Sequence, residues 1–154
     1  MLTTLEKILF LKQIDIFHEF TARELGILAQ KATEVGFSKN QVIFNQGDPG
    51  DALYLLLGGK VRVVREEGLK RETLAVLEER SCFGEMAILG VEYRTATVEA
   101  ADVVTLLKIS KEDFHELIME KPDMAFPIFK ILTKRISSAT DLYVGRITPE
   151  ERHE

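Results

Sequence analysis

The chain has 154 residues, of which 45% are hydrophobic and 29% charged, and its formal net charge is -5 at pH 7. A chain of this length can bury one ordinary hydrophobic core, so we predict a single domain over residues 1–154. The acidic balance provides no basic field for phosphate backbones, which argues against direct binding of nucleic acid.

Cysteine content and apolar runs indicate the compartment. The single cysteine, Cys82, excludes an internal disulfide and is typical of a reducing environment. The apolar run at residues 8–11 is far too short to span a membrane or to form a signal core. We therefore expect a cytoplasmic protein that is not held in a membrane.

The first part of the chain, residues 1–34, has the apolar spacing of short helices. The second of these helices begins with a capping box, because the Thr21 hydroxyl can accept from the amide of Glu24. The Glu24 carboxylate can in turn reach back to the amide of Thr21. Two N-terminal helices are therefore predicted.

From residue 35 to residue 109 the pattern changes to short β-type runs separated by turn residues. Asn40 stands where a tight turn requires positive φ. Frequent turns between short strands are typical of a β-sandwich or barrel. The predicted strands lie in the runs 42–44, 53–57, 61–64, 73–77 and 95–109.

The helical period returns at residues 110–145, and residues 146–154 form a tail. Ser110 with Asp113 opens a short helix, and a long amphipathic helix covers residues 125–143. An apolar stripe on the long helix is either a homodimer seam or the face packed on the barrel. The stripe consists of Ile128, Leu132, Ile136, Ala139 and Tyr143.

The segment from residue 83 to residue 97 contains the candidate ligand-binding residues. Gly84 permits a close backbone approach, and the residues after it can form one helical turn whose free N–H groups point at an anion. Arg94 offers paired donors that match phosphate oxygens, and it begins an apolar strand where an unpaired charge is costly. Glu85 can accept from a hydroxylated ligand such as a ribose, and Thr95 places a hydroxyl beside Arg94. The alternative is that Arg94 and Glu85 form a structural ion pair with each other.

The segment resembles the phosphate-binding cassette of the cyclic-nucleotide-binding domain family, found in catabolite activators, cyclic-nucleotide-dependent kinases and cyclic-nucleotide-gated channels. That cassette has Phe-Gly-Glu, apolar residues and a short loop, then Arg, a small or hydroxyl residue and Ala-Thr. Residues 83–98 match it without a gap. The resemblance covers nearly the whole chain, because it extends to Ile43-Phe44, to the turn at residues 46–51, to Leu53-Tyr54 and to Gly59, Val61 and Val63. It implies a mainly β fold with flanking helices, namely an antiparallel β jelly-roll (double-stranded β-helix) with a short cassette helix.

The resemblance implies a role for each cassette residue. Arg94 and the backbone amides of Ala87 and Thr95 would bind the cyclic phosphate. Glu85 and the backbone of Gly84 would bind the ribose 2'-hydroxyl. The sequence departs from the usual pattern at two turn positions, where Arg80 replaces a common glycine and Tyr93 a frequent proline.

The base-side contacts implied by the resemblance are Val63, Leu74 and Thr140. Thr95 could hydrogen-bond a guanine amino group, yet threonine at this place also occurs in relatives that take cAMP, and cAMP is slightly favoured. Thr140 is equally well explained as a solvated threonine on a helix face. The expected ligand is thus cAMP or cGMP.

Catalysis and metal binding are not expected. Residues 35–109 contain no histidine, whereas a metal-dependent enzyme with a jelly-roll fold needs histidine ligands on its strands. The leading hypothesis is a non-catalytic sensor that relays ligand occupancy through its C-terminal helices and needs no cofactor. The alternatives are the sensor half of a transcription regulator without its helix-turn-helix, and an interaction scaffold with a vestigial pocket.

Overall fold

The computed structural model describes residues 1–85, 90 and 93–144, with side chains described up to residue 134. Two four-stranded antiparallel sheets face each other, and helices flank them at both ends of the chain. The helices are α1 (Thr4–Lys12), α2 (Ala22–Lys31), α3 (Lys111–Glu120) and α4 (Ala125–Val144). The strands are β1 (Thr33–Phe37), β2 (Val42–Phe44), β3 (Ala52–Gly58), β4 (Val61–Glu67), β5 (Lys70–Leu77), β6 (Cys82–Phe83), β7 (Thr97–Ala100) and β8 (Val104–Ser110).

The strand order confirms the expected jelly-roll. One sheet runs β1-β8-β3-β6 and the other β2-β7-β4-β5, so each sheet combines strands from both ends of the β region. Strand β3 is buried on both faces, which explains its unbroken apolar sequence. Its residues Leu53 and Leu55 face the helices, whereas Tyr54 and Leu56 face the interior between the sheets.

The helix starts confirm the predicted caps. The Thr21 hydroxyl accepts from the amide of Glu24 at 3.1 Å, and the Glu24 carboxylate accepts from the amide of Thr21 at 2.9 Å. The Ser110 hydroxyl accepts from the amide of Asp113 at 3.1 Å at the start of α3. These bonds satisfy amides that the helix itself leaves unpaired.

Three details of the β region differ from the expectation. Strand β1 was not among the predicted runs, and it begins at Thr33, inside the segment that was assigned to the N-terminal helices. The run 95–109 was expected to be continuous, but it is divided into β7 and β8 by a bend at residues 101–103. The short strand β6 was missed, because two residues that end at a glycine with φ of 76° show no alternation. Asn40 has the expected positive φ, 71°, and Arg80 has a φ of 75° at the place where glycine is common.

Helix α4 packs against the helical side of the molecule. Ile128 and Leu132 are buried there, so the first part of the predicted stripe is the packed face. Phe126 and Phe129 point outward instead and are 74% and 64% exposed. Ile136, Ala139 and Tyr143 have side chains outside the described residues. Among the described helices, none has the length and apolar character to cross a membrane.

Candidate anion-binding site

A cavity of about 620 Å³ opens between the two sheets, beside the segment that follows β6. Its wall is apolar on one side, where the two sheets contribute strand residues, and polar on the other, where the cassette begins. The residues that matter most for its chemistry are Phe44, Val63, Leu77, Gly84, Glu85 and Arg94. The size and the mixed wall suit a small organic anion.

The side chain of Arg94 is the buried cation of this cavity, only 7% of the residue being exposed. Its Nη2 atom donates to the carbonyl of Ala52 at 2.8 Å and to Oδ1 of Asp51 at 3.3 Å. Its Nη1 atom donates to the carbonyl of Gly84 at 3.3 Å. Within the described residues Nε is buried and has no hydrogen-bond partner. A buried donor without an acceptor is costly, so this edge of the guanidinium can gain from an incoming anion.

The backbone of Arg94 is held by the turn between β2 and β3. The amide of Arg94 donates to the carbonyl of Asp48 at 2.7 Å, and the amide of Gly47 donates to the carbonyl of Arg94 at 2.8 Å. Gly47 has a φ of 89°, which a residue with a side chain rarely adopts. The turn therefore fixes where the arginine enters the cavity.

Gly84 is required by the arginine that packs on it. A Cβ atom at this position would lie 2.7 Å from Nη1 of Arg94 and 3.1 Å from the carbonyl oxygen of Ala52. Its φ of 76° also lies in the left-handed region. The glycine of the Phe-Gly-Glu motif thus leaves the space that the guanidinium of Arg94 occupies.

The electrostatics of the site follow from burial. Burial lowers the pKa of Arg94, and the nearby carboxylates of Asp51 and Asp48 oppose that shift. The carboxylate of Asp51, whose side chain is 67% exposed, lies 3.3 Å from the guanidinium of Arg94. An exposed carboxylate neutralises a buried cation only weakly. Positive potential therefore remains available at the cavity.

Most of the predicted ligand-binding residues border the cavity. Gly84 contacts Arg94, Glu85 borders the same cavity, Thr95 is an exposed residue of the rim, and Val63 lies on the apolar wall. Glu85 has an interaction partner of its own. Ala87 lies outside the described residues. Thr140 belongs to α4, but its side chain lies outside the described part of the structure.

Leu74 has a different setting from Val63. The pairing of β4 with β5 passes from Val63–Ala75 to Val64–Thr73, which leaves Leu74 as the extra residue of a bulge. Leu74 is 49% exposed, and the residue of β5 that lines the cavity is Leu77. A bulge of one residue reverses which side chains face inward, and alternation in the sequence does not reveal its place.

Two residues of the site were not singled out from the sequence. Asp51 contacts the guanidinium through its side chain, and Phe44 lies with its ring 4.0 Å below the Cζ atom of Arg94. The turn at residues 46–51 was noted as a turn signal, and its carboxylates were the available hint for Asp51. Phe44 was part of the family resemblance, but nothing in the sequence marked its ring as a contact of Arg94. In the described part of the chain, no cluster of three or more histidine, cysteine or carboxylate side chains is arranged to hold a metal ion.

The fold and this site define the class of the protein. A sequence model described as "Cyclic nucleotide-binding domain" matches residues 34–121, which include both sheets, the cavity and α3. The chain belongs to the cyclic nucleotide-binding domain family.

Individual relatives agree with this assignment. The chain is 33% identical over 142 residues to the "Cyclic AMP receptor protein" of Thermus thermophilus, covering 92% of this chain and 65% of that protein. It is 34% identical over 119 residues to the human "Cyclic nucleotide-gated channel alpha-2", covering 73% of this chain and 18% of that one. The chain thus spans less than two thirds of the length of each of these relatives.

Solved structures share the fold. The catabolite activator protein of Thermus thermophilus has a TM-score of 0.76 at 33% identity, covering 85% of this chain and 62% of that one. The regulatory domain of PKA from Toxoplasma gondii, crystallised with cAMP, has a TM-score of 0.76 at 23% identity. That comparison covers 88% of this chain and 50% of the other and shows a common fold.

Proposed function

We propose that this protein is a non-catalytic sensor that binds a cyclic nucleotide, with cAMP favoured over cGMP. One observation carries the proposal: the guanidinium of Arg94 is buried, its Nε atom has no hydrogen-bond partner among the described residues, and it borders a cavity of about 620 Å³. A singly charged cyclic phosphate supplies the acceptors that this group lacks. The single cysteine is in keeping with a cytoplasmic location.

The proposed contacts to phosphate and ribose follow the cassette. Arg94 and the amides of Ala87 and Thr95 bind the cyclic phosphate, and Glu85 with the backbone of Gly84 binds the ribose 2'-hydroxyl. Of these groups, Arg94, Thr95, Glu85 and Gly84 border one cavity, which supports the assignment.

The base is proposed to lie on the apolar side. Val63 forms this wall together with Leu77, and Leu74 on the adjoining bulge and Thr140 of α4 are further proposed contacts. The preference for cAMP is supported by the similarity to the cyclic AMP receptor protein of Thermus, whereas the hydroxyl of Thr95 remains available to hydrogen-bond a guanine. Titration of the same protein with cAMP and with cGMP decides between the two.

Calorimetry with wild type, Arg94→Ala and Arg65→Ala tests the proposed function. Arg65 is an exposed arginine of β4 outside the cavity lining and serves as the matched control. Charge-assisted hydrogen bonds contribute roughly 1.5 to 3 kcal/mol each, so Arg94→Ala is expected to weaken binding by on the order of a hundredfold. Arg65→Ala is expected to leave the affinity unchanged. Equal affinity of wild type and Arg94→Ala would contradict the assigned role.

We propose that Asp51 is the first residue to transmit the effect of ligand binding to the C-terminal helices α3 and α4. Its carboxylate contacts Arg94, and its backbone carbonyl accepts from the amide of Lys111, the first residue of α3, at 2.9 Å. A phosphate that competes for the guanidinium releases the Asp51 side chain and so changes the support of α3. Hydrogen exchange with and without cAMP should alter the protection of α3 and α4, and unchanged protection of both helices would contradict the relay.

A second candidate function is the sensor part of a transcription regulator. The match to the Thermus protein favours it, because that protein continues beyond the region that this chain covers. The fold is also shared with the N-terminal domain of a transcriptional regulator from Streptomyces coelicolor, with a TM-score of 0.74 at 26% identity. Reading the gene beyond codon 154 tests it, because a helix-turn-helix requires roughly twenty further residues.

The outward apolar side chains of α4 support a proposed homodimer. Phe126 and Phe129 are both largely exposed on one helix, and two exposed aromatic rings are a feature of protein interfaces. Sedimentation of the wild type over a range of concentrations tests this proposal.

A further inference from the structure

Three aromatic rings lie directly behind the buried arginine, and we call Phe44, Tyr54 and Phe83 the aromatic platform. The rings of Tyr54 and Phe83 are stacked, with centroids 5.4 Å apart and planes inclined by 11°. The ring of Phe44 contacts both, at 5.9 Å from Tyr54 and 6.1 Å from Phe83. Each ring comes from a different strand, so the platform exists only in the folded jelly-roll.

The guanidinium of Arg94 lies over this platform. Its Cζ atom is 4.0 Å from the centroid of the Phe44 ring and 5.9 Å from that of Tyr54. Both distances fall within the range of cation–π attraction, in which the negative face of a ring stabilises a cation. Burial raises the pKa of the Tyr54 phenol, so Tyr54 contributes a neutral ring.

The contact matters because an aromatic face and an anion use different parts of a guanidinium. A ring stabilises the flat face, whereas the N–H groups at the edges stay free to donate. Nη1 and Nη2 already donate to Gly84 and to Ala52 and Asp51, and Nε is buried without a partner among the described residues. Phe44 therefore supports the charge without occupying the donor that an anion needs.

The backbone directs Phe44 to this place. Strand β2 pairs with β7 through Val42–Glu99 and Phe44–Val98, so its register shifts between Val42 and Phe44. A bulge of this kind turns a side chain toward a new direction. The ring of Phe44 is half-buried and lines the cavity, whereas Val42 of the same strand is exposed.

We propose that Phe44 is a positioning residue for anion binding, which holds the guanidinium of Arg94 by its face so that its edge is presented to a phosphate. Tyr54 and Phe83 hold the ring of Phe44 in turn. The proposal rests on the proposed function for the identity of the anion, but the placement of Arg94 by Phe44 can be measured without any ligand.

Affinity measurements with matched variants test the positioning role. Phe44→Leu keeps the apolar bulk of the side chain but removes its aromatic face. Phe44→Tyr keeps the aromatic face. Phe37→Leu is the control, because it removes a ring that packs against the same core away from Arg94. Calorimetry with cAMP should give roughly threefold to tenfold weaker binding for Phe44→Leu. Phe44→Tyr should stay within about twofold of wild type, as should Phe37→Leu.

A double-mutant cycle separates positioning from packing. If Phe44 acts through the guanidinium, Phe44→Leu should cause no further loss of cAMP affinity in an Arg94→Ala background. An equal loss in both backgrounds would overturn the proposal, as would an equal loss for Phe44→Leu and Phe37→Leu.

Nuclear magnetic resonance of the Arg94 Nε–H group supplies a readout that needs no nucleotide. A group held over a ring has an upfield-shifted proton, and the shift should be present in wild type and Phe44→Tyr and lost in Phe44→Leu. If the resonance does not move in Phe44→Leu, the platform is refuted. The Nε–H resonance could also move in Phe44→Leu while neither cAMP nor cGMP binds the wild type. In that case the positioning role of Phe44 is supported and the cyclic-nucleotide assignment fails.

Discussion

The Oδ1 atom of Asp51 lies 3.3 Å from Nη2 of Arg94, so the buried cation of the cavity has an internal counter-ion whose side chain is 67% exposed. The pair joins the turn before β3 to the arginine of the cassette. Because Nη2 also donates to the carbonyl of Ala52 at 2.8 Å, the arginine does not depend on Asp51 for its orientation.

Removal of this counter-ion should favour an external anion. In Asp51→Asn the negative charge next to the guanidinium is lost while the size of the side chain is kept. We expect cAMP binding to tighten by roughly twofold to fivefold and stability to change by less than about 1 kcal/mol, because exposed ion pairs contribute little. Calorimetry and thermal unfolding measure the two effects. Weaker binding would mean that Asp51 orients the arginine after all.

A side chain at position 84 should displace the arginine. Gly84→Ala places a Cβ atom 2.7 Å from Nη1 of Arg94 at a φ of 76°. Gly68 has a φ of 60° with nothing within 4 Å of a built Cβ, so Gly68→Ala is a control for the backbone conformation alone. The left-handed backbone conformation should cost each variant about 1 to 2 kcal/mol of stability, and Gly84→Ala should lose more because its Cβ atom also clashes with Arg94. Only Gly84→Ala should also bind cAMP at least about tenfold more weakly. Equal affinities of the two variants would contradict the role of the close contact.

The outer face of the second sheet carries a charge cluster that makes stability depend on pH. The carboxylate of Glu99 accepts from Arg71 at 2.5 Å and from Arg62 at 2.9 Å. Hydrogen bonds from Arg71, and then from Arg62, lower the pKa of Glu99 despite burial. A lowered pKa in the folded state stabilises the fold above the ordinary glutamate pKa, and this contribution is lost as pH falls through the lowered value.

Glu99→Gln should therefore destabilise the protein by about 1 to 3 kcal/mol near neutral pH, because two arginines lose their shared partner. The difference from wild type should shrink as the pH is lowered from about 7 to about 3. Denaturant unfolding at several pH values measures it. A difference that stays constant over this range would show that Glu99 contributes by packing rather than by charge.

The hydroxyl of Thr95 should affect the choice of base. Thr95 is exposed at the rim of the cavity, where it can accept from the 2-amino group of guanine, whereas adenine carries only a hydrogen atom at that ring position. Thr95→Ala should weaken cGMP binding by roughly threefold to tenfold more than cAMP binding. Thr95→Ser, which keeps the hydroxyl, is the control. An equal loss for both nucleotides would limit Thr95 to its proposed phosphate contact.

The exposed ring of Phe129 should weaken the proposed dimer when it is removed. Phe129→Ser takes away apolar surface that is 64% exposed in the single chain, and it should raise the dimer dissociation constant by on the order of tenfold. Lys130→Ser, an exposed neighbour on the same helix, should have little effect. Sedimentation of all three proteins measures the result, and a wild type that is monomeric at every concentration would refute the dimer.

Local patterns in the sequence determined the kinds of element and the charge that this site would carry. The caps at Thr21 and Ser110 and the positive φ at Asn40 depend on neighbouring residues, so short-range rules predicted them. An arginine expected at the start of an apolar strand predicted a buried cation. Arg94 is buried, although β7 begins only at Thr97. The resemblance to the cassette supplied the family.

Only the tertiary structure decided which groups surround that cation. Asp51, Phe44 and Gly84 lie 43, 50 and 10 residues from Arg94 in the sequence. They meet because the jelly-roll brings distant strands together, and no local pattern encodes those distances. The bulge at Leu74 likewise depends on how β5 pairs with β4, because one extra residue changes which side chains face inward. The chain alone thus specifies a buried charge, and the folded sheets specify its partners.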